Sequence, residues 1–290
     1  MESFYLHYFT DNKEFPFFIQ YGYHDADLKI HLHSDFSELV IVFGGTAMHT
    51  VNDESYFIKK GDVFVLGEGV SHGYHDTHQL QICNIMFQPE KILFPGDVRK
   101  LPGFHALFVI EPYLAGKKEF QSHLSLQLED CEQIHHLTDL MLREYQTTTP
   151  GKETLLTSYF MILATTLSRL YTLPAKRRES TVLNIAKSVS YMESNFTEPL
   201  TMEEIAAISS LSPRHFSRLF ASSYHTTPGN YILSLRMQHA AGLLKNTDLS
   251  ISQVAFQSGF NDSNYFSRQF RKFFGTSPRE YRENRIIPHE

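Results

Sequence analysis

The sequence predicts a multidomain protein of mixed α and β structure, in which an N-terminal β-barrel and a helical pair precede a C-terminal all-α domain with two helix-turn-helix motifs. Three observations support this fold class. Short apolar runs between turn signals fill residues 15–87, apolar residues recur at helical spacing from about residue 125, and an internal repeat with an offset of 50 residues occupies the last third. We place the domains at 1–122, 123–173 and 181–290, with a linker at 174–180.

The composition narrows the class of protein. With 290 residues, 42% hydrophobic and 20% charged, the chain is long enough for two cores and is neither collagen-like nor disordered. No apolar run approaches the roughly 18 residues of a membrane span, and residues 1–11 lack the basic and apolar regions of a secretory signal. Two cysteines, Cys83 and Cys131, are typical of reduced thiols. We therefore expect a cytoplasmic protein that does not bind a membrane.

The charges are distributed unevenly between the two parts of the chain. Residues 1–175 hold 12 Lys and Arg against 22 Asp and Glu, a net charge of −10. Residues 176–290 hold 14 against 10, a net charge of +4. An acidic part joined to a basic part is expected when only the basic part must bind a polyanion, although charge alone also allows a chance segregation of solvated residues.

The predicted barrel depends on alternating strand and turn signals. Apolar runs indicate strands at Leu39–Phe43, Val63–Leu66 and Gln79–Phe87. Turn residues follow or separate them at Gly44–Gly45, Asn52–Asp53 and Lys60–Asp62. Residues 88–122 hold four prolines, and we predict an irregular connection there.

Two amphipathic helices are predicted after this connection. The apolar residues spaced by three and four are Leu128, Cys131, Ile134, Leu137 and Met141, and then Leu155, Tyr159, Ile162, Leu163, Leu167 and Leu170. Thr147–Gly151 separates the two helices. The pair either covers the open face of the barrel or forms the interface of a homodimer, and the pattern allows both.

The internal repeat aligns Ser212–Phe220 with Asp262–Phe270. In each copy a short helix, a tight turn and a second helix form a helix-turn-helix, with Ser212 and Asp262 as N-caps of the second helices. The outward faces of these second helices carry Arg214, Ser217, Arg218, Ser263, Asn264, Ser267 and Arg268. Arg pairs with guanine, Asn with adenine and Ser with either base, so these residues are candidate contacts to double-stranded DNA, although each could also be a solvated helix residue.

A single helix is predicted between the copies, over Gly229–Lys245. Its 17 residues would span roughly 25 Å, somewhat less than the 34 Å of one DNA turn. The sequence therefore predicts two recognition helices that enter successive major grooves on one face of the DNA, with bending of the duplex.

Residues 181–285 resemble the DNA-binding domain of the AraC/XylS family of bacterial transcription regulators. The resemblance is most specific over Ile251–Arg282, which carries the signature of the family's second motif. It implies a regulator, and specifically an activator, with promoter DNA and RNA polymerase as partners. The first copy departs from the family pattern at Ser210 and His225, where glycine is usual. These departures concern the ends of the first recognition helix.

The strand region carries a second group of chemically active residues. His31 and His33 are two apart on a strand and share one face, whereas Glu38 has the wrong parity for that face and requires a bulge or turn within Ser34–Ser37. With His72 they offer three imidazoles and one carboxylate, which suit Zn, Ni, Fe or Mn. The same residues could instead contact an effector or form a polar core network.

The spacing of His31, His33, Glu38 and His72 is similar to the two cupin motifs, with Gly67 where proline is usual. This resemblance implies a cupin-like barrel and allows an alternative function, a metal-dependent oxygenase or isomerase with an appended DNA-binding domain.

The resemblance to AraC/XylS regulators extends into this region and favours a non-enzymatic effector domain that requires no cofactor. It implies effector contacts at His31, His33, Glu38, His72 and Tyr74. The segment 32–46 is most similar to the L-rhamnose-responsive members, which implies a sugar as the effector.

Overall fold

The computed structural model describes residues 2–92, 94–117, 124–172 and 181–283. The chain divides into two compact units, Met1–Ala186 and Lys187–Glu290. The predicted domain boundary at residue 122 and the predicted linker at 174–180 lie outside the described residues. No helix in the described ranges is long and apolar enough to cross a membrane.

The first unit contains one eight-stranded sheet. Its strands are β1 Glu2–Phe4, β2 Phe17–His24, β3 Leu28–His33, β4 Ser37–Val51, β5 Glu54–Lys59, β6 Asp62–Leu66, β7 Ser71–Phe87 and β8 Leu124–Ser125. They are ordered β1-β3-β7-β4-β6-β8, with β2 paired to β7 and β5 paired to β4. Buried side chains from β4, β5, β6 and β7 form one apolar core, as the predicted strands require.

The predicted turn at Gly44–Gly45 is wrong. Strand β4 continues through it and stays paired with β7, with shifts of register between Val42 and Gly44 and between Gly44 and Thr46. These shifts are β-bulges, and glycine is required there because a Cβ on Gly45 would lie 2.1 Å from the carbonyl oxygen of Gln79. The turn at Asn52–Asp53 is confirmed, and the one predicted at Lys60–Asp62 is confirmed for Lys60 and Gly61, since Asp62 begins β6.

The predicted irregular connection at 88–122 is also wrong over most of its described length. It contains helices α1 Gly96–Arg99, α2 Pro102–His105 and α3 Glu111–Ala115, with a π-helical segment at Ala106–Ile110. Pro102 and Pro112 lie in the first turns of α2 and α3. At Pro102 the missing amide hydrogen has no partner in any case, so this proline starts a helix rather than breaking it. Pro112 instead follows the π-helical segment, within backbone that is helical from α2 onward.

The predicted helical pair is confirmed as α4 Leu128–Tyr145 and α5 Lys152–Thr172. Both helices pack on the sheet. Phe160 of α5 contacts Phe17 of β2 and Phe87 of β7, with ring centroids 5.6 and 5.0 Å apart. The hydroxyl of Tyr21 in β2 donates to Asp139 of α4 at 2.9 Å. The helices therefore cover one face of the sheet, which was the first of the two predicted roles.

The C-terminal part is helical, as predicted. Its helices are α6 Thr181–Asn195, α7 Met202–Ile208, α8 Pro213–Tyr224, α9 Pro228–Asn246, α10 Ile251–Gln257, α11 Ser263–Phe274 and α12 Pro278–Glu283. Helices α7 and α8 are the first helix-turn-helix copy, and α10 and α11 are the second. Capping boxes at Thr201 and Ser250 start both first helices.

Matching aromatic rings stabilise the two copies. Phe216 and Phe220 of the first copy, and Phe266 and Phe270 of the second, are fully buried. Their spacing of four places each pair on one face of its helix. Each second helix therefore carries a buried aromatic stripe.

Candidate functional site

Three strands bring the predicted histidine and glutamate residues together. His31 and His33 lie in β3, Glu38 is the second residue of β4, and His72 is the second residue of β7. His31 is the direct cross-strand partner of His72. Strand β3 ends at His33 and β4 begins at Ser37, so the predicted break between them is confirmed and corrects the parity of Glu38.

The three most buried of these groups form a triangle of ligand atoms. Nε2 of His72 lies 3.1 Å from Nε2 of His33 and 3.3 Å from Oε2 of Glu38, and Nε2 of His33 lies 3.6 Å from that oxygen. All three side chains are at most 2% exposed. We name His33, Glu38 and His72 the ligand triangle.

Burial suppresses the charge of this cluster. It raises the pKa of Glu38 to about 8. Burial, followed by the nearby ring of His31, lowers the pKa of His33 to about 3, and burial lowers the pKa of His72 well below its usual value. Near pH 7 the imidazoles are therefore neutral and the carboxyl group is mostly protonated, because the charged forms would lose their hydration.

The dimensions of the ligand triangle fit a metal ion. A point about 1.9 Å from all three atoms exists at its centre, so an ion displaced slightly from the plane would have the 2.0–2.1 Å bonds of Zn–N and Zn–O coordination. His31 offers a fourth ligand atom, since one ring nitrogen each of His31, His33 and His72 lie within 4.8 Å of one another. The donor set suits Zn, Ni, Fe or Mn.

The other two predicted effector contacts lie beside the triangle. His31 is half-buried, its ring centroid is 4.4 Å from that of His72, and its Nδ1 faces the carbonyl oxygen of Lys29 at 3.1 Å. Tyr74 is buried, and its hydroxyl has no hydrogen-bond partner among the described residues. A buried hydroxyl in this state offers a hydrogen bond to a ligand.

Sequence reasoning missed one histidine of the cluster. His49 of β4 is fully buried, and its Nε2 lies 3.2 Å from Nδ1 of His72. An odd separation from Glu38 places His49 on the opposite face of an ideal strand. The bulges of β4 between the two residues shift that alternation, and the glycines at 44 and 45 were the signal that could have indicated it.

The predicted DNA contacts lie on α8 and α11. All but Ser263, whose equivalent is Pro213, lie at equivalent positions of the two copies. Four of them are exposed: Arg214, Arg218, Asn264 and Arg268. Ser217, Ser263 and Ser267 are half-buried. The hydroxyl of Ser267 donates to the carbonyl oxygen of Ser263 at 2.8 Å, and that of Ser217 faces the sulfur of Met202 at 3.9 Å. The cations and the amide are therefore better placed to meet a base edge than the serines.

The helix between the copies is α9, which extends the predicted helix by one residue at each end. Its 19 residues span about 28 Å.

Tyr265 of α11 is 45% exposed and lies between Asn264 and Arg268, and sequence reasoning did not select it.

The chain matches known families in both of its parts. Residues 17–147 match the AraC-like ligand binding domain, and residues 205–284 match a helix-turn-helix domain. The chain is 31% identical over 257 residues to the HTH-type transcriptional activator RhaS of Escherichia fergusonii, with 87% of each chain covered. It is 27% identical over 281 residues to the HTH-type transcriptional activator RhaR of Mannheimia succiniciproducens, with 97% of this chain and 96% of that protein covered.

Among solved structures, a transcriptional regulator with an AraC-type DNA-binding domain from Chromobacterium violaceum is 38% identical in sequence. The match covers 37% of this chain and 95% of that chain, with a TM-score of 0.34. The relatives are transcription regulators rather than enzymes, which favours the regulator over the metal-dependent enzyme that the histidine spacing also allowed.

Proposed function

The chain belongs to the AraC family of transcriptional activators, and we propose that it is a cytoplasmic, sugar-responsive member whose effector binds beside the ligand triangle. The observation that supports the effector site most strongly is a buried group of uncharged polar side chains with unused hydrogen-bonding capacity. Nδ1 of His33 and the hydroxyl of Tyr74 are buried without hydrogen-bond partners among the described residues.

A neutral polyol suits the chemistry of this site. Its hydroxyl groups both donate and accept hydrogen bonds, as do neutral imidazoles, a protonated carboxyl group and a phenol. A charged effector would need a charged partner in a buried site, and burial suppresses the charges of His33, Glu38 and His72. The proposed contacts are those of His31, His33, Glu38, His72 and Tyr74, and the similarity of segment 32–46 to L-rhamnose-responsive regulators places deoxyhexoses among the first sugars to test.

A divalent ion is a second proposed occupant of the ligand triangle. Zn, Ni, Fe or Mn bound by His33, Glu38 and His72 would supply a positive charge that attracts the oxygen atoms of an effector. In its absence the two imidazoles and the carboxyl group present the same three atoms to a hydroxyl group. Metal analysis of the purified protein and of His31→Ala and His72→Ala variants tests this occupant, and metal-free wild-type protein would exclude it.

We further propose that the protein acts as a homodimer and binds promoter DNA through α8 and α11, with RNA polymerase as its partner in activation. Leu155 and Ile162 of α5 support a dimer, because they are 44% and 53% exposed and lie seven residues apart on one face of the helix. Effector binding would then activate transcription by favouring one arrangement of the domains through differential affinity.

Thermal unfolding of the purified protein in a panel of pentoses, hexoses and deoxyhexoses tests the effector site. A sugar at about 100 times its dissociation constant should add about 2.7 kcal/mol to the stability of the state that binds it. We expect the shift with one sugar or a few related sugars, and its loss in the His33→Ala and Glu38→Ala variants.

His75→Ala is the matched control, because His75 is a histidine of the same sheet but its side chain is 42% exposed and contacts Asp76. It should keep the shift. A shift that survives both cluster substitutions would place the sugar elsewhere, and the absence of a shift with every sugar would contradict a sugar effector.

A further inference from the structure

His49 approaches the ring nitrogen of His72 that the ligand triangle does not use. Its Nε2 lies 3.2 Å from Nδ1 of His72, while Nε2 of His72 faces His33 and Glu38. His72 therefore has a polar contact at each of its two nitrogens. The contact at Nδ1 comes from another strand, because His49 lies in β4 and His72 in β7.

The ring of His49 is held in a fixed plane. It stacks on Phe64 with ring centroids 4.6 Å apart and planes 25° apart, and on Tyr74 with centroids 4.8 Å apart and planes 28° apart. All three rings are buried. Stacking on two neighbours restricts the rotation of the imidazole, so its Nε2 stays directed at Nδ1 of His72.

A neutral imidazole carries one N–H and one lone pair. If Nε2 of His72 is to accept a hydrogen bond from an effector or bind an ion, it must keep its lone pair, and the proton must then lie on Nδ1. An N–H at that buried position needs an acceptor, and histidines that bind a ligand through one nitrogen generally donate the other N–H to a fixed partner.

We propose that His49 is a positioning residue of the effector site: its Nε2 accepts a hydrogen bond from Nδ1–H of His72 and thereby keeps the lone pair of Nε2 of His72 directed at the ligand triangle. The importance of that lone pair rests on the proposed function, in which the triangle receives the effector. The tautomer of His72 is a property of the ligand-free protein and can be measured without any effector.

The test is ¹⁵N NMR of the full-length protein labelled at histidine, with the signals of His72 identified by their loss in a His72→Gln variant. In the wild type we expect a protonated Nδ1 and an unprotonated Nε2. His49→Leu removes the acceptor at similar side-chain volume, and His72 should then shift toward the tautomer protonated at Nε2. His49→Gln supplies an amide oxygen as acceptor and should restore the wild-type tautomer.

A purely packing role for His49 gives a different result. His49→Leu would then leave the ¹⁵N signals of His72 unchanged, and that outcome overturns the proposal, as does an Nε2-protonated His72 in the wild type. His75→Gln is the matched control, since His75 lies in the same strand as His72 but contacts Asp76. It should leave the His72 signals unchanged.

Binding of Co²⁺ alone, followed by its visible absorption, provides a second readout. Loss of a hydrogen bond to a metal-binding histidine typically weakens metal affinity 10- to 100-fold, and we expect this range for His49→Leu and a smaller loss for His49→Gln. If no sugar shifts the unfolding temperature but the tautomer follows the expected pattern, the proposed effector fails while the role of His49 stands. If the tautomer of His72 does not follow the expected pattern, the proposed role of His49 fails whatever the result with sugars.

Discussion

The two helix-turn-helix copies differ at the two places where each enters the left-handed region of backbone conformation. The second copy has glycine at both, with φ of 82° at Gly259 and 79° at Gly275. The first copy has Ser210 and His225 there, with φ of 56° and 53°. A side chain in this region costs roughly 1–2 kcal/mol, so the first copy adopts the same conformations at a higher cost in free energy.

The hydrogen bonds of the two turns explain why the first copy nevertheless keeps its shape. In the first turn the amide of Leu211 donates to the carbonyl oxygen of Ala206 at 3.1 Å. In the second turn the amide of Phe260 donates to the carbonyl oxygen of Ala255 at 3.0 Å. Both recognition helices then run for 12 residues. The turn geometry is therefore imposed by hydrogen bonding and packing, and the departures of the first copy from the family pattern do not shorten its recognition helix.

The largest effect is expected from Gly259→Ala. A Cβ at this position would lie 2.6 Å from the carbonyl oxygen of Thr197 and would add the strain of a positive φ. We expect a loss of about 3 kcal/mol in the free energy of unfolding, measured by urea denaturation.

Gly275→Ala is its control, because nothing lies within 4 Å of the Cβ that it would add. It should cost about 1 kcal/mol, through backbone strain alone. Equal losses for the two variants would show that the short distance to the carbonyl oxygen of Thr197 does not require glycine at position 259.

The next effect concerns the equivalent arginines of the two copies. Arg218→Ala and Arg268→Ala should each weaken binding to operator DNA by about 1–3 kcal/mol, because each removes a side chain able to pair with guanine. Fluorescence anisotropy on an operator selected from random sequences measures the loss. Arg169→Ala, an exposed arginine of α5, is the control and should not change the affinity. A normal affinity for either variant would remove that copy's arginine from the interface.

A smaller effect in the opposite direction is expected from His225→Gly. Glycine relieves the positive φ of the C-cap of α8 but also gains freedom in the unfolded chain, so the net stabilisation should be about 0.5–1 kcal/mol. Thermal unfolding of the variant measures it. A destabilised variant would mean that the imidazole of His225 makes contacts worth more than the backbone strain.

The smallest effects are expected from the serines of the recognition helices. Ser267→Ala should change DNA affinity by less than about 0.5 kcal/mol, because the hydroxyl already donates to the carbonyl oxygen of Ser263. Ser217→Ala should behave alike, since Ser217 is half-buried in the same position of the first copy. Anisotropy on the same operator measures both, and a loss comparable to that of the arginines would mean that the serines contact bases.

The two helix-turn-helix copies and the helix between them were predictable because their signals are local, whereas α6 and α12 were not predicted. N-caps such as Ser212 and Asp262, and a spacing of four between buried phenylalanines, define helices without reference to the rest of the chain. The N-terminal domain was less predictable because its signals are ambiguous. A pair of glycines such as Gly44–Gly45 is compatible with a β-bulge or with a turn, and a proline such as Pro102 is compatible with the start of a helix or with an irregular segment.

The candidate site shows the same limit. The residues of the ligand triangle were identified because motif spacing does not depend on strand geometry. His49 was missed because its place depends on the bulges of β4, which only the pairing of β4 with β7 reveals. Whether Ser267 faces solvent or its own helix is likewise decided by a hydrogen bond that no sequence pattern shows.

In the proposed mode of binding, both copies contact DNA, in successive major grooves. Hydroxyl-radical and methylation footprints on the selected operator test it directly, with wild-type, Arg218→Ala and Arg268→Ala proteins. We expect two contacted major-groove segments per subunit about one helical turn apart, and each variant should weaken a different one. A single contacted segment in the wild type, or two variants that weaken the same segment, would contradict it.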